Sequence, residues 1–100
     1  MTEIDARTIK RQHREDWDHA APAWRKYDES LRRGSELLTR RLLEMAGINP
    51  GDRVLDIASG TGEPGLPAAV IVGPSGSVLL TDQSQEMLAV AREKSQPSGA

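Results

Sequence analysis

Cysteine and phenylalanine are both absent from the 100 residues, and the aromatics come to two tryptophans and one tyrosine. Without cysteine there are no disulfides and no thiolate-bound zinc or iron–sulfur sites. With so few aromatics, large core fillers are scarce. No apolar run approaches the roughly 20 residues that cross a bilayer. Residues 1–16 hold no apolar stretch of the kind a secretory signal needs, so a soluble, cytoplasmic protein is expected. An excess of one charge is missing too. Thirteen basic and 15 acidic side chains leave a net charge of −2. That excludes the strongly basic face of a dedicated nucleic-acid binder. The length allows at most one small domain.

What is present divides into two halves. Residues 1–50 carry 10 basic and 9 acidic side chains, whereas residues 51–100 carry 3 and 6. The first half reads as solvated helices and the second as buried strands and small-residue loops. Ile4, Ile9 and Trp17 form a weak apolar stripe over residues 3–19. Pro22 is expected to break the chain or open the next helix. Trp24, Tyr27 and Leu31 then share one helix face, with Trp24 and Tyr27 read as packing on a sheet ahead of forming a cofactor lid. Gly34 punctuates. Ser35 is expected to cap a third helix that buries Leu38, Leu42, Met45 and Ala46, with Leu37 and Leu43 widening the stripe. Gly47 ends it. His13 and His19, with Asp16 and Asp18 nearby, do not share a helix face, so no metal site is expected. The pairs Arg32-Arg33 and Arg40-Arg41 read as solvated faces.

After the turn Asn49-Pro50-Gly51-Asp52 the period changes. Residues 53–58 form a short run of strand formers, the pattern of a strand buried on both faces. Ser59-Gly60-Thr61-Gly62 is a tight loop. A helix follows over residues 64–72, then the turn 73–76 and a second strand over residues 77–81. Ser84 is expected to cap a last helix that reaches Lys94 and buries Met87, Leu88 and Ala91. Residues 95–100 read as a polar loop. The order βαβα is the repeating unit of a parallel sheet, so the class is α/β.

Open parallel sheets bind ligands beyond the carboxyl ends of their strands, and both strand ends carry suitable chemistry here. Glycines let a ligand approach the backbone. The N-terminus of the helix after the loop offers free N–H groups to an anion. Asp82 follows Gly62 by 20 residues and sits where a carboxylate can accept hydrogen bonds from ribose hydroxyls. Gly60-Thr61-Gly62-Glu63-Pro64-Gly65 matches G-x-G-x-x-G, a weak signal until strand, helix and acid are added. Asp56 narrows the choice. A carboxylate at that point would repel a pyrophosphate but attract an ammonium group. S-adenosylmethionine combines an amino-acid end, a ribose and an adenine. Asp56 suits the ammonium, loop and helix N–H groups suit the carboxylate, and Asp82 suits the ribose. Met87 suits either adenine or plain core.

Residues 54–64, Val-Leu-Asp-Ile-Ala-Ser-Gly-Thr-Gly-Glu-Pro, resemble motif I of class I S-adenosylmethionine-dependent methyltransferases. Residues 76–88 resemble their second-strand motif. Residues 17–24 with Tyr27 and Asp28 resemble the segment before motif I in the ubiquinone/menaquinone-biosynthesis type. The likeness covers about residues 17–94. It departs at Ala58, where glycine is commoner, and at Thr81, where glycine often precedes the acid. The resemblance implies N-terminal helices followed by the first βαβα of a Rossmann-like fold, with an incomplete sheet. Residues 1–50 would be a helical segment covering cofactor and substrate. Residues 51–100 would be the first part of the cofactor domain, stopping before a third strand, so that a partner chain or further sequence completes the sheet. It implies a methyltransferase acting on a small-molecule acceptor, with the 100-residue chain not active alone. The implied cofactor site is Asp56, Ala58, Ser59, Gly60, Thr61, Gly62, Asp82, Gln83 and Met87. No catalytic residue is assigned; His19 and Tyr27 are the candidates for a base. Two rivals remain: an NAD(P)-binding oxidoreductase, and a non-enzymatic half-fold that pairs with another chain.

Overall fold

The computed structural model describes residues 5–96. Ile4 and the last four residues of the expected tail loop lie outside the described residues. Helix α1 runs Ala6–Lys26 and helix α2 Asp28–Ala46. Strand β1 (Arg53–Ile57), helix α3 (Gly65–Val72), strand β2 (Ser77–Thr81) and helix α4 (Gln85–Ser95) follow. The two strands pair in parallel, with Val54 opposite Val78 and Asp56 opposite Leu80. The class is therefore α/β, with a two-stranded sheet among the described residues. Among these residues, no helix is long and apolar enough to cross a membrane.

The N-terminal half has two helices where the sequence suggested three. Asp5 caps α1, its side chain accepting the Arg7 N–H at 3.0 Å. The helix passes through Pro22 instead of stopping there. A proline inside a helix forfeits one backbone hydrogen bond. Here it falls close to the C-terminal end, where the ladder is running out. The break comes at Tyr27, whose φ of −101° and ψ of 16° leave the helical region. Helix α2 then continues through Gly34 and Ser35. Ser35 caps nothing; its hydroxyl donates back to the Leu31 carbonyl at 2.9 Å. A helical glycine costs about 1 kcal/mol. Three ion pairs at i,i+4, Arg32–Asp28, Arg33–Glu29 and Arg40–Glu36, help offset it. Gly47 ends α2 in the left-handed region, with φ 66°.

Burial also departs from the pattern. Leu37, Leu38, Leu42 and Met45 are exposed, and Leu43 is the one member of the expected stripe that is buried. The reason is geometric. Helix α1 packs along α4, and α3 packs across β2 and β1, while α2 has no comparable partner among the described residues. The strands are not covered on both faces either. Val54, Asp56, Val78 and Leu80 are half-buried, whereas Leu55, Ile57 and Leu79 are exposed. A small core forms where Ala21 of α1 meets Met87 and Val90 of α4. Ala91 is buried and Leu88 only half-buried.

Polar contacts complete the α1/α2–α4 seam. Ser84 caps α4 by accepting the Met87 N–H at 3.1 Å, and its hydroxyl donates to Asp18 of α1. Arg25 pairs with Glu93, and Lys94 reaches Asp28 at 2.7 Å. The N-terminal helices are thereby held beside the carboxyl ends of the strands.

Candidate functional site

Strand β1 ends at Ile57, one residue earlier than its run of strand formers. Ala58 turns into the left-handed region with φ 60°, an uncommon conformation for a residue with a Cβ. The Ser59 N–H donates to the Thr81 carbonyl at 2.8 Å, and the Thr81 hydroxyl donates to the Asp56 carbonyl at 3.0 Å. The threonine that departs from the motif thus stitches the two strand ends together. The Gly62 N–H donates to the Ser59 carbonyl at 2.9 Å and closes the turn.

Asp82 joins this loop to the start of α4. The Gly60 N–H donates to its Oδ2 at 2.8 Å, and the Ser84 N–H donates to its Oδ1 at 2.9 Å. The acid therefore braces the turn into α4 and fixes the loop together. A carboxylate oxygen that accepts one such bond keeps acceptor capacity for another donor.

Beyond the strand ends lies a cleft of about 760 Å³. Its floor is Ala58, Ser59, Gly60 and Thr61 with Asp82, Gln83 and Met87. Its facing wall is Trp17 and Trp24 of α1 with Asp28, Leu31, Arg32 and Ser35 of α2. Seven of the nine candidate cofactor residues are thus brought together. Met87 belongs both to this floor and to the small core, with its methyl carbon 3.7 Å from where a Cβ on Gly60 would stand.

Gly62 and Asp56 are placed elsewhere. Gly62 has φ 111°, and a Cβ there would stand 2.6 Å from Leu66, so its glycine serves the packing of α3. Asp56 lies on the α3 side of β1, against Gly65, and does not line the cleft. Its Oδ2 is buried with no hydrogen-bond partner among the described residues. Burial pushes its carboxyl pKa up, the Gly65 amide opposes the rise, and the Asp82 charge adds to it.

The N-terminus of α3 offers less than the sequence suggested. Pro64 and Pro67 have no N–H. The Leu66 N–H donates to the Gly62 carbonyl and the Gly65 amide acts on Asp56. The first turn of this helix thus faces the buried Asp56 carboxylate and returns its Leu66 N–H to the loop.

Several cleft residues were not singled out for this role. Trp24, read as packing on the sheet ahead of a cofactor lid, lines the cleft and is 38% exposed, and Leu31 of the same helix face lines it too. Arg32 lines the cleft as well, unlike Arg33, Arg40 and Arg41, which pair along the surface of α2. Trp17, Asp28, Ser35, Ile57, Glu63 and Thr81 complete the set outside the expected site. Spacing alone could have flagged Trp17, Trp24 and Leu31, which recur every seven residues. His19 and Tyr27 lie outside the cleft lining and are exposed; His19 Nδ1 sits 2.8 Å from the Glu15 carbonyl.

Residues 48–100 match the family model described as a methyltransferase domain. Among curated proteins, the chain is similar to the ubiquinone/menaquinone biosynthesis C-methyltransferase of Ectopseudomonas mendocina. The two are 45% identical over 73 residues, covering 69% of this chain and 28% of that protein. The enzyme of the same name from Teredinibacter turnerae is 50% identical over 52 residues, covering 52% and 21%. That of Ectopseudomonas oleovorans is 41% identical over 73 residues, covering 69% and 43%. The chain therefore spans less than half the length of these relatives. No solved structure matches it.

Proposed function

Because the chain belongs to the methyltransferase-domain family, we propose that its cleft is the donor site of an enzyme that methylates a small-molecule acceptor from S-adenosylmethionine. The carrying observation is the pairing of Asp82 with the loop. One carboxylate accepts from the Gly60 and Ser84 amides and still faces a cleft whose volume lies within the range of small-molecule sites. The residues present fit the donor. At Gly60 a Cβ would come against the Met87 methyl on the cleft floor, and the buried Asp56 oxygen lacks a partner among the described residues.

In this reading Asp82 accepts the ribose hydroxyls, and charge-assisted bonds of that kind are among the stronger ones. Gln83 and Met87 lie beside the adenine, where a flexible thioether adapts to a flat ring. Ala58, Ser59, Gly60, Thr61 and Gly62 shape the backbone around the amino-acid end. Asp56 acts on the ammonium from beneath the loop, through its charge rather than by lining the cleft. When bound, the donor supplies a methyl group already activated on a sulfonium. The protein's task is to orient donor and acceptor and to exclude water. Residues 1–50 serve as the cover and residues 51–100 as the donor-binding part.

The apolar wall of Trp17, Trp24 and Leu31 suits a flat acceptor. The relatives are named for carbon methylation in ubiquinone and menaquinone biosynthesis. Quinone precursors are therefore the first acceptors to assay. Nothing in the comparisons supports the oxidoreductase alternative. Equilibrium dialysis of the full chain against S-adenosylhomocysteine and against NAD tests the donor reading. Uptake of S-adenosylhomocysteine alone is expected, and uptake of NAD alone would overturn it.

A further inference from the structure

The donor carries a carboxylate, and the N-terminus of α3, where the sequence suggested it would bind, faces the buried Asp56 instead. At the N-terminus of α3, Gly65 lies against the Asp56 carboxylate, the Leu66 N–H goes to the Gly62 carbonyl and Pro67 has no N–H, so an anion there would meet a like charge. The acids around the cleft sharpen the difficulty, because Asp82 and Glu63 both line it. One cationic side chain lines the same cleft: Arg32 of α2. Its Nε sits 3.0 Å from Asp28 Oδ2. Lys94 takes the other oxygen of Asp28 at 2.7 Å. A single carboxylate is thus shared by two cations, and the trio keeps a net charge of +1. The ion pair holds the guanidinium beside Asp28, and its two Nη groups make no hydrogen bond among the described residues. A guanidinium held in this way presents the parallel N–H pair that matches a carboxylate.

We propose that Arg32 binds the carboxylate of the methyl donor, with Asp28 and Lys94 as its positioning residues. The inference rests on the donor reading above and assigns its anionic end to the N-terminal helices instead of to the loop. It also gives α2 a reason to lie over the strand ends despite its meagre packing. Arg32 is the part of that helix that a bound donor would engage most strongly.

The test compares two probes on the full chain by calorimetry. S-adenosylhomocysteine has the amino-acid end, and 5′-methylthioadenosine has the same nucleoside without it. The Arg32 side chain is 53% exposed. A charge-assisted bond there is screened, so roughly a fivefold to tenfold effect is expected rather than more. Arg32→Gln should weaken S-adenosylhomocysteine by that factor and leave 5′-methylthioadenosine within about twofold. Arg32→Lys should retain part of the affinity, since it keeps the charge but loses the fork. Unchanged S-adenosylhomocysteine binding in Arg32→Gln would overturn the proposal. So would an equal loss for both probes, which would mark a structural role only. If the unsubstituted protein binds neither probe, it is the donor reading itself that fails.

Discussion

Ala58 holds a left-handed conformation that a Cβ makes costly. Left-handed helical geometry costs an L-residue roughly 1–2 kcal/mol. Glycine would remove that cost but lose about 0.5–1 kcal/mol in chain entropy. Ala58→Gly should therefore raise stability modestly, by about 0.5–1 kcal/mol, visible as a higher Tm. A lower Tm would mean the alanine methyl packs usefully. Asp56 gives a second prediction at this scale. Burial raises its folded pKa above the ordinary value near 3.8. Below that value the carboxyl is protonated in both states, and the folded form has its full stability. As pH climbs through the raised pKa, the folded protein must ionise a buried acid, and stability is lost. Asp56→Asn does not titrate. Its Tm relative to the unsubstituted protein should rise with pH across that window, and a pH-independent difference would refute the assignment. The two acids also differ in reach. Asp82 faces the cleft and Asp56 does not, so Asp82→Ala should weaken S-adenosylhomocysteine roughly tenfold or more. Asp56→Asn should weaken it less, and the reverse order in calorimetry would place the ammonium contact on Asp56 directly.

At the scale of elements, the second half of the chain was legible and the first was misdivided. The strands, the loop, the Ser84 cap and the Gly47 stop rest on short-range chemistry that a sequence displays. A run of strand formers, a hydroxyl before a helix and a glycine after one each act within a few residues. The helix break at Tyr27 was missed because Pro22 and Gly34 are louder signals. Yet Pro22 lies near the end of α1 and Gly34 is bridged by ion pairs, so neither interrupts. A quieter signal was present: Arg25 and Lys26 end one helix, and Asp28 and Glu29 begin the next, each complementing a helix dipole. The cleft's facing wall was harder still, because periodicity shows that Trp24 and Leu31 share a face but not what that face meets. Gly34 turns this into a prediction. A Cβ there would meet nothing within 4 Å, and the residue sits inside a regular helix. Gly34→Ala should stabilise α2 by about 0.5–1 kcal/mol. The check is a urea midpoint shift at constant slope. A destabilised variant would show that α2 needs flexibility at that point.

The molecule as a whole is drawn out, at 54 × 26 × 23 Å with a radius of gyration of 15.4 Å. A compact domain of this length would have about 13 Å. The excess comes with a helical pair joined to the α/β part through a narrow seam. That seam has one small apolar cluster and polar contacts from Asp18, Arg25 and Asp28 to α4. Exposed ion pairs such as Arg25–Glu93 contribute little, typically under about 1 kcal/mol. A ligand in the cleft would touch both sides, since the floor belongs to the α/β part and the wall to α1 and α2. Binding to the folded form alone adds RT ln(1 + [L]/Kd), about 2.7 kcal/mol at a hundredfold excess over Kd. S-adenosylhomocysteine at that excess should therefore raise the Tm of the full chain by about 10–20 °C, while NAD at equal concentration leaves it unchanged. The distribution of that stabilisation is the sharper reading. Hydrogen exchange should slow both in the loop at residues 58–62 and in the helical segment from Trp17 to Ser35. Protection confined to residues 53–96 would leave the donor site standing but strip the N-terminal helices of their role as its cover, and with it the carboxylate contact assigned to Arg32.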